Sequence, residues 1–179
     1  MKNAVLIGMP GSGKSTLGSR AAAMLGASFI DLDDSIVARE GKAILDIFEE
    51  SGETGFREIE TRTLRDIVNA VIKPGDGDLV VFNSGGGLIC STGGGIVTRP
   101  ENKSLLKKIG NVIFIYRGLD DISASVSYSA GRPLLRNPTA LRILWEERRS
   151  LYRDWADREF VNEGGLENAA ANLAELIGC

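Results

Sequence analysis

The sequence predicts an α/β fold built on a parallel sheet with helices on both faces. Two observations carry that expectation. Short apolar runs that read as buried strands alternate along the chain with longer stretches that read as helices. The first such run, Ala4-Val5-Leu6-Ile7, is apolar on both faces and ends in glycine, as a strand covered on both sides should be.

The elements follow in order. A strand is predicted over 4–8 and a helix over 14–25, with Gly26 as its stop. A second strand covers 28–32 and ends in carboxylates. Short helices are expected over 34–39, with Asp34 as the capping residue, and over 44–51. A longer helix covers 55–72, with Phe56, Ile59, Leu64, Ile67, Val68 and Val71 roughly on one face. Pro74-Gly75-Asp76-Gly77 is a turn. Two strand-like runs follow, 79–82 and 88–91, of which only one is needed in the sheet. Helix 101–108, strand 111–116 and helix 119–127 come next. The segment 129–138, rich in Gly, Pro, Arg and Asn, reads as mobile. Helix 141–155, strand 158–161 and helix 166–177 complete the chain.

Its 179 residues suit one domain, residues 1–179. A net charge of −3 and a pI near 5.1 leave no electrostatic footprint for nucleic acid or an anionic membrane. No run approaches the length of a membrane span, and no secretory signal is read at the N-terminus, so a cytoplasmic protein is expected. There is no histidine, which removes a His-based triad and any imidazole zinc site. Cys90 and Cys179 are too far apart in sequence to suggest a metal knuckle, and Cys90 reads as a small buried hydrophobe.

Gly8-Met9-Pro10-Gly11-Ser12-Gly13-Lys14-Ser15 fits the phosphate-binding pattern G-x-x-x-x-G-K-S/T at every fixed position, between a predicted strand and a predicted helix. Its glycines let backbone N–H groups converge on phosphate oxygens at a helix N-terminus. Gly11, Ser12, Gly13, Lys14, Ser15 and Thr16 are therefore candidate nucleotide-binding residues. Lys14 would neutralise phosphate charge and the Ser15 hydroxyl would ligate Mg²⁺. The acids of Asp31-Leu32-Asp33-Asp34 stand at the end of the second strand, where ligands of open α/β sheets bind. Asp31 and Asp33 alternate as on a strand, so both could face one side. Phosphoryl transfer to an alcohol needs one group near the metal and another for the hydroxyl proton. A helix-capping cluster is the alternative reading of these acids.

Beyond these residues the chain resembles the shikimate kinases. The pattern G-x-x-x-F-R-x-x-E is matched by Gly52 to Glu60. A glycine triplet after the third core strand is matched by Gly93-Gly94-Gly95. Arg132-Pro133-Leu134-Leu135 matches a lid motif, and Arg148 to Tyr152 match R-x-x-L-Y. The resemblance implies a three-layer P-loop kinase fold with a central parallel five-stranded sheet, helices on both faces and a mobile lid over about 120–136. It also implies a substrate-binding subdomain over about 32–62. The expected activity is ATP-dependent phosphorylation of the 3-hydroxyl of shikimate, with Mg²⁺, in a monomer. Asp33 would act as base and Asp31 would help position the metal. Arg57 and Arg148 would clamp the shikimate carboxylate with the Gly94 N–H, and Arg132 would reach in from the lid to phosphate and substrate. Phe56 and Glu60 would support them.

The sequence also departs from the family pattern. An unusual insertion over about 76–90 carries its own Gly85-Gly86-Gly87. No arginine stands in 122–128, where the family usually places one against adenine; Tyr128 is the substitute there. Ser150 replaces a usual proline. Gluconate or nucleoside monophosphate kinases of the same architecture, and an inactive nucleotide-binding regulatory module, are the competing readings. A GTPase is disfavoured because Asn102-Lys103 is followed by Ser104-Leu105, which breaks the guanine-reading pattern.

Overall fold

A computed structural model of the chain describes residues 2–72, 87–125 and 138–179. Strands β1 (Ala4–Ile7), β2 (Ser28–Asp31), β3 (Leu88–Ser91), β4 (Asn111–Tyr116) and β5 (Arg158–Val161) form one parallel sheet in the order β2-β3-β1-β4-β5. Helices α1 (Lys14–Leu25), α2 (Leu32–Glu40), α3 (Ile44–Ile72), α4 (Glu101–Ile109), α5 (Leu119–Ser125), α6 (Pro138–Trp155) and α7 (Leu166–Gly178) surround it.

Strand alternation sorts the apolar residues into two cores. Val5 and Ile7 of β1, Cys90 of β3, and Val112 and Phe114 of β4 face a cluster completed by Leu64 and Val68 of α3, Leu106 of α4 and Tyr152 of α6. Ala4, Leu6, Ile89, Ile113 and Ile115 face the other way, onto Leu17 and Ala21 of α1 and Ala170 and Leu173 of α7. Both faces of the three central strands are thus covered, which is why those strands read as unbroken apolar runs. β5 is an edge strand and is mostly exposed, so its sequence, Arg158-Glu159-Phe160-Val161, shows little of that character.

The predicted helices over 44–51 and 55–72 form one run interrupted at Gly52, whose φ of 65° and ψ of −177° only glycine adopts readily. The run 88–91 is a sheet strand, paired with both β1 and β2. The insertion drawn over 76–90 therefore overlaps a core strand at its C-terminal end. The turn 74–77, the run 79–82, Gly85 and Gly86 lie outside the described residues. So do Tyr128 and the Arg132-Pro133-Leu134-Leu135 motif.

One expectation is corrected at the end of β2. No loop separates β2 from α2: the helix begins at Leu32, and Asp31 is its N-cap, accepting from the N–H groups of Asp33 and Asp34. Asp34 is therefore not the cap, and Asp33 is not a strand residue. It lies in the first turn of a helix, and its side chain is aimed by helical geometry instead of strand alternation.

Gly110, between α4 and β4, shows how tightly the sheet edges are fitted. A Cβ there would sit 2.1 Å from the backbone oxygen of Asn3, which itself accepts the N–H of Asn111 at 2.9 Å. The obstacle is backbone and cannot rotate away. Gly110→Ala is expected to destabilise the fold by about 1–3 kcal/mol, read as a lower urea midpoint with an unchanged slope.

Candidate active site

All five strands run parallel, so the loops after β1, β2, β3 and β4 leave from one edge of the sheet. A cavity of about 400 Å³ opens there. Its wall includes Gly11, Gly13, Lys14, Ser15 and Thr16 from the β1–α1 turn, Asp33 from α2, Phe56, Arg57 and Glu60 from α3, Gly93 to Gly95 from the β3 loop, and Arg148 from α6.

The β1–α1 turn is shaped for an anion. Gly8, Gly11 and Gly13 have φ of 148°, 81° and 94°, which disfavour any other residue. The Lys14 ammonium lies over the loop and donates to the carbonyls of Gly8 at 3.0 Å and Met9 at 2.8 Å. Asn162, just after β5, donates to the Ser12 carbonyl at 2.8 Å. Because a trans peptide points its C=O and N–H in opposite directions, that bond turns the Gly13 N–H away from Asn162. Ser12, by contrast, is buried and its N–H is spent on Met9 O, so its main contribution is to the turn.

Ser15 and Asp31 meet directly. The Ser15 hydroxyl donates to Asp31 Oδ2 at 2.5 Å and lies 3.2 Å from Ser91 Oγ. Asp31 Oδ1 is committed to its capping bonds, so Oδ2 is the oxygen presented to Ser15. A hydroxyl and a carboxylate oxygen beside a phosphate turn form a donor set of the hard-oxygen type that Mg²⁺ prefers. No group of three or more acidic, cysteine or histidine ligands exists among the described residues, and Mg²⁺ bound with phosphates and waters needs none.

The other end of the cavity holds charges that are seldom buried. Arg57 and Arg148 are only 6% and 4% exposed, and Glu60 is fully buried. Arg57 donates to Glu60 at 2.9 Å and to Glu53 at 3.2 Å, and its guanidinium carbon lies 5.2 Å from the Phe56 ring centroid. Arg148 donates to the Gly94 carbonyl at 3.3 Å and reaches the same Glu53 oxygen at 4.0 Å. Glu53 is thus shared by both arginines while being half exposed. Burial opposes the charge on Arg57, but Glu60 and Glu53 outweigh it and hold the guanidinium protonated. Arg149 and Arg153, in contrast, make only exposed surface pairs with Glu146 and Glu159.

The glycine triplet is explained residue by residue. A Cβ on Gly95 would fall 2.0 Å from Arg57 Nη2, one on Gly94 2.5 Å from the Pro10 ring, and one on Gly93 2.7 Å from Glu60 Oε1 and 2.9 Å from Asp33 Oδ1. The second triplet therefore lines the cavity. At Gly94 the bonded group is its carbonyl, which also accepts from Tyr152 Oη at 2.5 Å.

Asp33 and Glu60 both turn a carboxyl oxygen toward Gly93. Burial, with the Asp31 charge adding, pushes the Asp33 carboxyl up to about 6. Burial also lifts Glu60 above the ordinary carboxylate range, with Arg57 opposing and Asp33 adding to the rise. Asp33 Oδ1, Glu60 Oε1, Arg57 Nε and Arg148 Nε are buried with no hydrogen-bond partner among the described residues. The site therefore offers acceptors and donors to a ligand with hydroxyl and carboxylate groups. Cys90 takes no part in this: it is buried, its thiol pushed up to about 12 by burial.

Glu53, Ser91, Arg117, Asn162 and the Tyr152 hydroxyl are parts of this neighbourhood that the motifs did not single out as functional. Arg132 lies outside the described residues.

A phosphate turn, a hydroxyl–carboxylate pair, an aspartate whose carboxyl is pushed up by burial and two buried arginines around one cavity define a P-loop phosphotransferase for a small anionic alcohol. Comparison with known proteins makes that class particular. The Shikimate kinase family model matches residues 10–177. A shikimate kinase from Clostridium beijerinckii is 37% identical over 179 residues, covering 99% of this chain and 96% of its own. One from Sulfurihydrogenibium sp. is 38% identical over 154 residues, covering 86% of this chain and 84% of its own. Among solved structures, a shikimate kinase from Acinetobacter baumannii in complex with shikimate superposes with a TM-score of 0.84 at 32% identity, over 99% of this chain and 93% of that one. The chain belongs to the shikimate kinase family.

The raised Asp33 carboxyl has a consequence for stability. The folded state holds this proton more tightly than the unfolded chain, so stability falls as pH rises from the ordinary aspartate value to about 6. Asp33→Asn removes the ionisation and is expected to stabilise the protein by roughly 1–3 kcal/mol above pH 7. The gain should shrink as pH falls and vanish only well below the ordinary aspartate value of 3.8, where Asp33 is neutral in both states. Urea unfolding of both proteins across this pH range checks this.

Proposed function

We propose that this chain transfers the terminal phosphoryl group of ATP to the 3-hydroxyl of shikimate, giving shikimate 3-phosphate and ADP, in the biosynthesis of aromatic amino acids. The observation that carries the reading is the pair of buried arginines facing the same cavity as a raised aspartate and a phosphate turn. Family membership supplies the substrate: the relatives are shikimate kinases, and one of them is in complex with shikimate.

In this reading Gly11, Ser12, Gly13, Lys14, Ser15 and Thr16 hold the nucleotide, and Lys14 offsets charge as it moves toward the leaving phosphate. Ser15 and Asp31 would hold Mg²⁺, which when bound neutralises the phosphate oxygens. Arg57 and Arg148 take the substrate carboxylate as forks, displacing the exposed Glu53 that they otherwise share. The Gly94 N–H adds to this clamp. Ile44, Phe48 and Phe56 give the cavity an apolar wall suited to a ring face. Asp33 then accepts the hydroxyl proton as the hydroxyl oxygen bonds to the terminal phosphorus and ADP departs. Arg132 keeps the lid role that the resemblance implies, contacting phosphate and substrate over about 120–136. Residues 32–62 form the acceptor-binding part of a single domain, 1–179. Action as a monomer in the cytoplasm belongs to the same reading.

An aspartate near 6 is a better base at neutral pH than an ordinary carboxylate, yet is still ionised there. Turnover should accordingly rise with pH through about 6, and this limb should disappear in Asp33→Asn, whose kcat falls while ATP still binds. Persistent turnover in Asp33→Asn would remove it as the base.

ADP release should be seen with shikimate and not with gluconate or nucleoside monophosphates; turnover with one of the others instead would overturn the assignment. Arg57→Ala and Arg148→Ala each lose a charge-assisted bond, and kcat/KM for shikimate should drop about ten- to 150-fold. Because Arg57→Ala strands Glu60 without its partner, Arg148→Lys, which retains charge without the fork, is the safer second variant. Wild-type values in the Arg148 variants would sink the clamp.

A further inference from the structure

The R-x-x-L-Y pattern ends on Tyr152, to which neither the sequence nor the resemblance attaches a role. The residue is fully buried, and its ring stacks on Phe114 of β4 with 5.2 Å between centroids and 16° between planes. Ring packing therefore places the hydroxyl, and burial keeps it protonated. The hydroxyl donates to the Gly94 carbonyl at 2.5 Å; Met9 Sδ, at 3.7 Å, is the weaker acceptor. Arg148, one helical turn earlier on α6, donates to the same carbonyl at 3.3 Å. Two donors from one face of α6 thus pin a single backbone oxygen of the triplet.

The N–H that this arrangement orients is that of Gly95. The C=O of Gly94 and the N–H of Gly95 share one peptide unit and point in opposite directions. With the carbonyl drawn toward α6, the Gly95 N–H is turned away from that helix. The next unit is held as well: the Gly95 carbonyl accepts from the Thr98 N–H at 3.0 Å and from Thr98 Oγ1 at 2.8 Å. Gly95 lines the cavity against Arg57, where a Cβ would fall 2.0 Å from Nη2. Among the described residues the Gly95 N–H donates to no acceptor. A pinned, unpaired N–H beside a guanidinium is a set of donors that the two oxygens of a ligand carboxylate can satisfy together.

We propose that Tyr152 is a positioning residue for the acceptor: its hydroxyl holds the Gly94–Gly95 peptide so that the Gly95 N–H, together with Arg57, receives the acceptor's carboxylate. This rests on the reading of shikimate as acceptor. Tyr152→Phe keeps the ring on Phe114 and leaves the Gly94 carbonyl with the longer Arg148 bond alone. Calorimetric titration of wild type and Tyr152→Phe with shikimate and with MgADP tests the role. Tyr152→Phe is expected to weaken shikimate about three- to tenfold and to leave MgADP within about twofold. In turnover, the KM for shikimate should rise while kcat holds. Wild type gives a second measurement that needs no variant: the Gly95 amide signal should move downfield on saturation with shikimate, and its hydrogen exchange should slow. Unchanged shikimate affinity in Tyr152→Phe would overturn the inference. Equal weakening of shikimate and MgADP would also overturn it, by reducing Tyr152 to a general support beneath Met9 and Gly94. A Gly95 amide that shikimate leaves unmoved would do the same, whether or not the variant folds. Wild type that binds MgADP but not shikimate would instead sink the acceptor reading, and this inference with it.

Discussion

Burying Arg57 against Glu60 is the constraint around which the acceptor end of the site is arranged. A fully buried carboxylate is costly unless a cation lies in contact with it, and Arg57 at 2.9 Å is that cation. The pair then dictates its surroundings. The guanidinium occupies the space that a side chain at position 95 would need, and Glu60 with Asp33 occupies that of position 93. Phe56 covers the guanidinium from one side. Gly93 and Gly95 are thus each denied a Cβ by charged groups that could not be moved without stranding their partners, while at Gly94 the obstacle is the Pro10 ring.

The phosphate turn is held by a different device. Side chains from the two strands on its far side reach two successive carbonyls: Arg117 after β4 meets Gly11, and Asn162 after β5 meets Ser12. Asn162 is in turn located by its own N–H on the Tyr116 carbonyl at 2.7 Å, which extends the β4–β5 pairing past the last strand residue. The glycine conformations of the turn are therefore set by the C-terminal half of the chain as well as by its own sequence. An anion site built from backbone dipoles works only if those dipoles are fixed before the ligand arrives.

Much of this was legible in the sequence because it depends on local chemistry. The turn Gly8 to Ser15 needs its residue types at fixed spacing, and the double-faced apolar runs of β1 and β4 leave little choice but a covered parallel strand. The start of α2 was not legible, since Asp31 and Asp34 are both acceptable caps and the strand runs into the helix with no punctuating residue. The strand assignment between α3 and α4 was ambiguous because two apolar runs of similar length precede two glycine triplets. Pairing with β1 and β2 places 88–91 in the sheet. Asn162 and Arg117 could not be found at all by pattern, because their partners lie 150 and 106 positions away, and the sequence places Glu53 four residues before Arg57 but not beside Arg148, 95 positions on.

A chain without histidine must make its base from a group whose ordinary value lies far below neutral pH, and the surroundings of Asp33 supply the difference. Burial and the Asp31 charge push it up, Lys14 and Arg57 pull the other way, and the compromise falls near 6. The same burial leaves oxygens of Asp33 and Glu60 and the Nε atoms of Arg57 and Arg148 without partners among the described residues. Each such group costs about 1–3 kcal/mol in a protein that keeps it unpaired. A sequence selected for stability alone would replace them, as buried ion pairs can be exchanged for apolar packing with little loss or even a gain. That these four belong to residues lining one cavity, beside a phosphate turn, is explained if the acceptor's carboxylate and hydroxyls complete the missing bonds. The instability stored there then becomes binding energy directed at the reacting hydroxyl.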